Sequence, residues 1–442
     1  MKDDNGVLQK SSNAPTSKVA SFKYMVPGKF TAKTSYKVYY LGKNSDGTSV
    51  SISTDQSQTA PNNTAHFGDA GDYGTATANK VTGKNQFKFV LEHQPAYLVF
   101  QPYTSNFILR DCYLTKVEVS SDNDIAEKYT FDPTTSALDA STVTNGDKIV
   151  LTTSGSSSNP NGFPLTNSAA SVTTNGAYVV IKPGTHTLKV RYWVKDIATN
   201  VEGTITKTYP SSSYASNTYY DMTANLDVKN YDGNYYMWDA QQNYWSGHEW
   251  NSASPWQPVL NGNSNSNYAQ SNTDPRYYNE AFTYGADNKA THSPCSTLPN
   301  VNEMTWYAAK GDPRWDGDEL WTTMGHLYKG GMWFLKRANI TGFRADQAYD
   351  GTDWRTNENG NIRWSASQTL PSAADAGNYF YLPALGDYTS GWLNFVGRNG
   401  HYWSSSAASL TIGNAYGLGF GSGYVGVYYY YRYYGFRAGG FE

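Results

Sequence analysis

The stretch from Tyr402 to Glu442, YWSSSAASLTIGNAYGLGFGSGYVGVYYYYRYYGFRAGGFE, alternates two kinds of position. In Gly417-Leu418-Gly419-Phe420-Gly421, and again in Tyr424-Val425-Gly426-Val427-Tyr428, apolar residues recur at every second place. That period belongs to a strand with one buried face, so Leu418, Phe420, Val425 and Val427 are expected to line a core. The places between them hold only Gly or Tyr, where a half-exposed strand ordinarily carries charged or polar residues. On this reading folding alone does not produce such a mixture, whereas a surface varied for binding does.

A chain of 442 residues is too long for one ordinary core, and two or three domains are expected. Charged residues make up only 16%, while 38 Tyr and 13 Trp supply most of the bulk, which describes globular domains with uncharged polar surfaces. A disordered chain lacks such aromatics. The formal net charge is −3 and no basic stripe is visible, which argues against a nucleic-acid partner or an anionic membrane surface. The two cysteines, Cys112 and Cys295, fall in different expected domains, so no disulfide framework is implied. No apolar run reaches the length of a membrane span. Residues 1–18 read as a polar N-terminal segment without the apolar centre of a signal peptide, so the chain is either cytosolic or a mature form with a new start methionine.

From about Val19 to Asn225 the chain reads as β structure. Strand-like runs are Tyr36 to Leu41, Phe87 to Leu91, Ala96 to Gln101, Tyr113 to Val119, Lys148 to Thr153, Ala177 to Ile181, Thr187 to Val194 and Gly203 to Tyr209. Turn signals such as Asn145-Gly146, Asn175-Gly176 and Pro183-Gly184 separate them, which favours a β-sandwich over residues 19–220. The loop SGSSSNPNG, Ser154 to Gly162, lies within that domain. Composition shifts near Asp221, and residues 221–442 form the second domain. Two helices are predicted there, Asn302 to Ala309 with an Asn cap and a Gly311 stop, and Asp318 to Tyr328 with acids at its start and Leu320, Met324, Leu327 and Tyr328 on one face. Gly330-Gly331 ends the second. Strands are expected at Met332 to Leu335, Tyr379 to Ala384, His401 to Ser405 and the two tail segments, giving an α+β domain.

Catalytic and metal chemistry finds little support in the residues. Asp312, Asp316, Asp318 and Glu319 lack the spacing of a calcium loop and suit a turn and a helix start. His248-Glu249 has no second ligand at helical spacing, and His326 falls on the expected helix. The glycines of Gly417-x-Gly419-x-Gly421 alternate within a strand, the wrong setting for a phosphate loop. We therefore expect no enzyme activity, no metal and no cofactor. In the tail the plain reading is an aromatic edge strand; the sharper one is a binding surface, in which Tyr gives amphipathic contact area and Gly and Ser give adaptability.

Several blocks carry a resemblance. They are Gly311-Asp312-Pro313-Arg314-Trp315, DELWTTMGHLYKGGMWF from Asp318 to Phe334, FYLPALGDY from Phe380 to Tyr388, GHYWSSSA from Gly400 to Ala407, and NAY with a closing YYGFR. Together they resemble the C-type-lectin-like domains, of the formylglycine-generating-enzyme-like subtype, at the C-termini of Bacteroidetes surface and pilin proteins, many of them targets of diversity-generating retroelements. The first domain, by HQPAYLVFQ from His93 to Gln101 and the LTKVEVS that follows, more loosely resembles fimbrillin-type pilin sandwiches.

The resemblance implies a multidomain surface protein, with an all-β fimbrillin-like sandwich followed by an α+β C-type-lectin-like fold and a variable region at about 402–437. Retroelements replace template adenines at random, often in AAY codons, which excludes Lys, Glu, Gln, Met and Trp. The expected variable, ligand-binding positions are Ala407, Ala408, Ser409, Leu410, Thr411, Ile412, Gly417, Gly419, Gly421, Tyr424, Gly426, Tyr428, Tyr429, Tyr430, Tyr431, Tyr433 and Tyr434, and none holds an excluded residue. Trp392, Tyr402 and Trp403 are expected as rigid neighbours. The implied function is an adhesin or receptor at the cell surface, outer membrane or pilus tip, with a protein or glycan ligand and other pilin subunits as further partners. A structural pilin and a phage receptor-binding protein are the alternatives. The E-P-N, Q-P-D and W-N-D motifs of calcium-dependent lectins are missing, and Cys295 stands without the second cysteine of the catalytic relative, so neither calcium-mediated sugar binding nor oxidase activity is implied.

Overall fold

The computed structural model describes residues 1–17, 19–197, 200–285 and 287–442. Strand accounts for 38% of the chain and helix for 7%, arranged in several sheets, so the protein is a multidomain and mainly β molecule. It divides into two compact units, one of Met1–Tyr192 with Tyr209–Leu226 and one of Trp193–Thr208 with Asp227–Glu442. The division falls after Leu226, and segment 193–208 groups with the second unit.

In the first unit Ala96–Tyr103, AYLVFQPY, is buried along nearly its whole length. A continuous apolar run suits a strand covered on both faces, in contrast to the strict alternation of a half-exposed one. It is the centre of a three-stranded sheet, antiparallel to Ala177–Ile181 and parallel to Thr218–Asn225. Cys112–Ser121 instead alternates, and pairs antiparallel with Lys148–Thr152, which Asp55–Ser57 joins in parallel. The free edge of Ala177–Ile181 is closed by two side-chain amides. Gln56 accepts from Val180 N at 3.0 Å and donates to Val180 O at 2.8 Å, while Gln58 accepts from Tyr178 N at 2.7 Å and donates to Gly176 O at 2.9 Å. Both glutamines thereby copy the hydrogen bonds a further strand would make.

The second unit contains one α-helix of more than four residues among those described, Val301–Lys310. It starts one residue earlier than the sequence suggests, because Asn300 accepts from Glu303 N and Glu303 reaches back to Asn300 N in a capping box; Gly311 ends it. The second predicted helix, Asp318 to Tyr328, is not a helix. Those residues form an antiparallel hairpin, Arg314–Thr323 with His326–Leu335, to which Tyr379–Pro383 adds a third strand. Two local facts override the helical spacing. Leu320, Trp321, Thr322 and Thr323 are buried in succession and include β-branched and aromatic types that suit a strand, and Met324 (φ 47°) with Gly325 (φ 77°) makes the left-handed two-residue turn of a tight hairpin. The acids serve the strand as well, since Asp316 Oδ1 accepts from Asp318 N at 3.1 Å and Glu319 N at 3.2 Å across a register shift. Gly330 and Gly331, expected as a helix stop, lie inside the second strand.

The tail builds a six-stranded sheet in the order Tyr235–Tyr236, Phe436–Arg437, Gly400–Ala407, Asn414–Gly421, Tyr424–Tyr431, Ile362–Ser365. One large core of the unit lies under it and includes Met304, Trp321, Trp354, Tyr388 and Tyr402. A smaller cluster, with Trp238, Phe282, Cys295 and Phe436, covers part of the opposite face. Among the described residues no helix is long and apolar enough to cross a membrane.

Candidate ligand-binding site

Register assigns every tail residue to a face. Leu418 opposes Val427 and Phe420 opposes Val425, all four wholly buried, so the expected frame residues do line the core. Tyr402 opposes Leu418 and belongs to the same core, its hydroxyl donating to Pro383 O at 2.6 Å. Tyr416 opposes Tyr429 on this face, and Tyr429 is half-buried against it. The helix Val301–Lys310 packs beneath these strands.

On the other face Gly417 opposes Tyr428, Gly419 opposes Gly426, and Gly421 opposes Tyr424. The tyrosine rings lie down over the glycines. A Cβ on Gly419 would stand 2.3 Å from Tyr430 Oη, one on Gly426 2.4 Å from Tyr428 Cζ, and one on Gly421 2.9 Å from Tyr424 Cε1. Glycine and tyrosine therefore complete one packed layer, because a ring can lie flat only where its neighbour has no side chain. This corrects the expectation that folding has no use for the mixture. Tyr430, partly buried, packs on Phe436 (centroids 4.7 Å), His401 (5.7 Å) and Trp403 (6.3 Å). Burial raises its hydroxyl pKa well above the ordinary value. His401 Nδ1 in turn lies 2.9 Å from Asp387 Oδ2. At the far side Arg363 rests 4.0 Å over the Tyr424 ring, and Asn399 Nδ2 donates to Tyr424 Oη at 2.8 Å.

The end of the sheet where Asn414 meets Tyr431 has a different character. Every large apolar side chain of the last forty residues that is well exposed lies here: Leu410 (78%), Ile412 (84%), Tyr431 (51%) and Tyr433 (37%). Tyr431 stacks on Tyr433 at 5.2 Å, and Tyr434 closes the group edge-on. Between them Arg432 turns inward and is 3% exposed. Its guanidinium sits 4.5 Å from Trp238 and 4.7 Å from Phe282, donating to Asn414 O at 3.1 Å and Tyr284 Oη at 3.0 Å. This anchor holds the turn and leaves its tyrosines outward.

The expected site residues thus separate. Leu410, Ile412, Tyr431 and Tyr433 are brought together in the open, with Ser409, Thr411 and Tyr434 half-buried beside them; Tyr424 and Tyr428 are half-buried on the glycine layer. Ala407 and Ala408 are wholly buried, as are Gly417, Gly419, Gly421 and Gly426, so these cannot touch a ligand by their own side chains. Tyr402 and Trp403 are likewise inside and not rigid surface neighbours; Trp392 is half exposed on a separate two-stranded sheet. Nothing in the strand pattern marks Arg432, although it is the one charge within YYYYRYY. Glu358, which holds the Leu410 loop, gave no signal in the sequence.

Cys295 is fully buried, and burial pushes its thiol up to about 12, which favours the protonated form at neutral pH. Among the described residues no cluster of three or more His, Cys, Asp or Glu side chains could hold a metal.

No protein-family model matches the chain, and no curated protein matches it. Solved structures do: one described as a candidate cell adhesion protein from Bacteroides ovatus, with TM-score 0.27 and 14% identity over 46% of this chain and 70% of that one. Another, described in the same way and from Bacteroides fragilis, has TM-score 0.23 and 14% identity over 38% of this chain and 57% of that one.

Proposed function

We propose that this protein is a cell-surface adhesin, not an enzyme, whose second unit binds a macromolecular ligand, protein or glycan, through the end of the tail sheet. The observation that carries the reading is the exposure of Leu410, Ile412, Tyr431 and Tyr433 at one end of the tail sheet. Large apolar groups held open on an ordered frame are the usual anchors of recognition, and tyrosine supplies area at small entropic cost. The resemblance to C-type-lectin-like domains adds the finer reading of a C-type-lectin-like unit behind a fimbrillin-like one, with retroelement variation concentrated on this end and on the tyrosines of the glycine layer.

Adherence of beads coated with the wild-type protein or with the Tyr431→Ala/Tyr433→Ala variant, to bacterial and to epithelial cells, tests the adhesin reading. The wild type is expected to adhere to one cell class and the variant at least tenfold less. Equal adherence of both sinks the assignment to this surface. For the diversification, near-identical gene copies should differ at the solvent-facing positions and agree at Leu418, Phe420, Val425 and Val427.

A further inference from the structure

The loop Ser409–Gly413 displays two branched aliphatic side chains almost wholly in water, which is costly for a surface loop unless something covers them. It is also held still from outside. The half-buried carboxylate of Glu358, distant in sequence, accepts from Thr411 N at 2.9 Å, from Thr411 Oγ1 at 2.6 Å, and from Leu410 N. The same segment is fixed to the sheet, with Tyr416 Oη donating to Asn359 O at 2.9 Å. On the far side of the loop Arg432 N donates to Gly413 O at 2.9 Å, tying it to the caged arginine. Leu410 and Ile412 are therefore presented on a backbone whose ordering cost is met before any partner arrives.

We propose that Glu358 is a positioning residue for this loop and that the partner recognised by Leu410 and Ile412 is a protein offering an apolar cleft. This rests on the binding reading above and narrows it. Chemistry separates the two ligand classes: saccharide hydroxyls reward hydrogen-bonding groups and flat aromatic faces, whereas a pair of projecting aliphatic side chains gains only by leaving water for an apolar pocket. Tyr431 and Tyr433 beside the loop suit the rim of either ligand; Leu410 and Ile412 suit the protein alone.

The test uses two defined probes on the full chain, a phage-displayed library of random 15-residue peptides and a printed array of defined oligosaccharides. The library is expected to yield peptides rich in apolar residues whose affinity falls at least tenfold with Leu410→Ser or Ile412→Ser. Glu358→Leu, which removes every acceptor, should lose a similar factor with an unchanged melting temperature. Glu358→Gln should bind within about threefold of wild type, because its carbonyl still accepts from the amides while its NH2 donates to Thr411. Failure to recover any peptide weakened by Leu410→Ser overturns the proposal, as does equal loss in Glu358→Gln and Glu358→Leu. Binding of an oligosaccharide that depends on Tyr431 and Tyr433 but survives Leu410→Ser overturns the protein assignment while leaving the adhesin reading intact.

Discussion

The hydroxyl of Tyr430 lies over the α-carbon of Gly419, so close that a methyl group there would meet it at 2.3 Å. Phe436, His401 and Trp403 pack against the Tyr430 ring and resist its moving aside. Gly419→Ala should therefore destabilise the unit by about 1–3 kcal/mol, the usual cost of overfilling a packed layer. In the Tyr430→Phe background, which removes the clashing oxygen, the same substitution should cost measurably less. Chemical denaturation of the four proteins in this cycle measures the coupling, and strict additivity would refute the contact.

Neighbouring tyrosines should behave oppositely. Tyr430→Ala removes a partly buried ring from its packing on Phe436 and is expected to cost about 1–3 kcal/mol, less than truncating a fully buried aromatic. Tyr431→Ala, half in water, should change stability by no more than about 0.5 kcal/mol while weakening cell adherence. Melting temperatures and adherence measured on both variants separate frame from contact surface. Tyr429, half-buried against Tyr416, should fall between them.

Acid should loosen the segment that carries Glu358. Asp353 is held at about 2, below its ordinary 3.8, first by hydrogen bonds from Arg355, with a further one from Asn302 in the first turn of the helix. Its folded value lies below the unfolded one, so the stabilisation is fully present above about pH 4 and is lost as pH falls towards 2. Amide exchange around 353–358 should accelerate over that window, and Asp353→Asn should remove most of the pH dependence.

In the first unit Gln56→Ala with Gln58→Ala takes the glutamine partners from Val180 N, Val180 O and Tyr178 N, while Gly176 O keeps the amide of Asn62. A loss of about 1–3 kcal/mol per unsatisfied buried group is expected, less whatever water recovers. Size-exclusion chromatography should also report more association of the double variant than of the wild type, through the opened edge.

Period-two spacing made the frame legible: Leu418, Phe420, Val425 and Val427 lie where alternation puts them, and Ala96 to Gln101 forms the central strand of its sheet. At Asp318 the pattern points to a helix because Leu320, Met324 and Leu327 fall at helical spacing, while the burial of four successive residues and the left-handed Met324-Gly325 turn make a hairpin. The glycine layer was hidden for another reason. Whether Gly419 lies under a ring depends on strand register and on Tyr430 eleven places later, neither of which local pattern encodes. Glu358 is more remote still, a carboxylate whose role exists only once two distant loops meet.

The ring-on-glycine layer also sets a grammar for change in this tail. A bulkier residue at Gly419 or Gly426 requires a smaller one at Tyr430 or Tyr428, so these sites exchange volume in couples and most independent replacements produce clashes or voids. Leu410, Ile412, Tyr431 and Tyr433, open to water, carry no such partner constraint. The repertoire this scaffold can sustain is consequently much smaller than the product of its separate positions, and its widest freedom lies at the tip of the sheet.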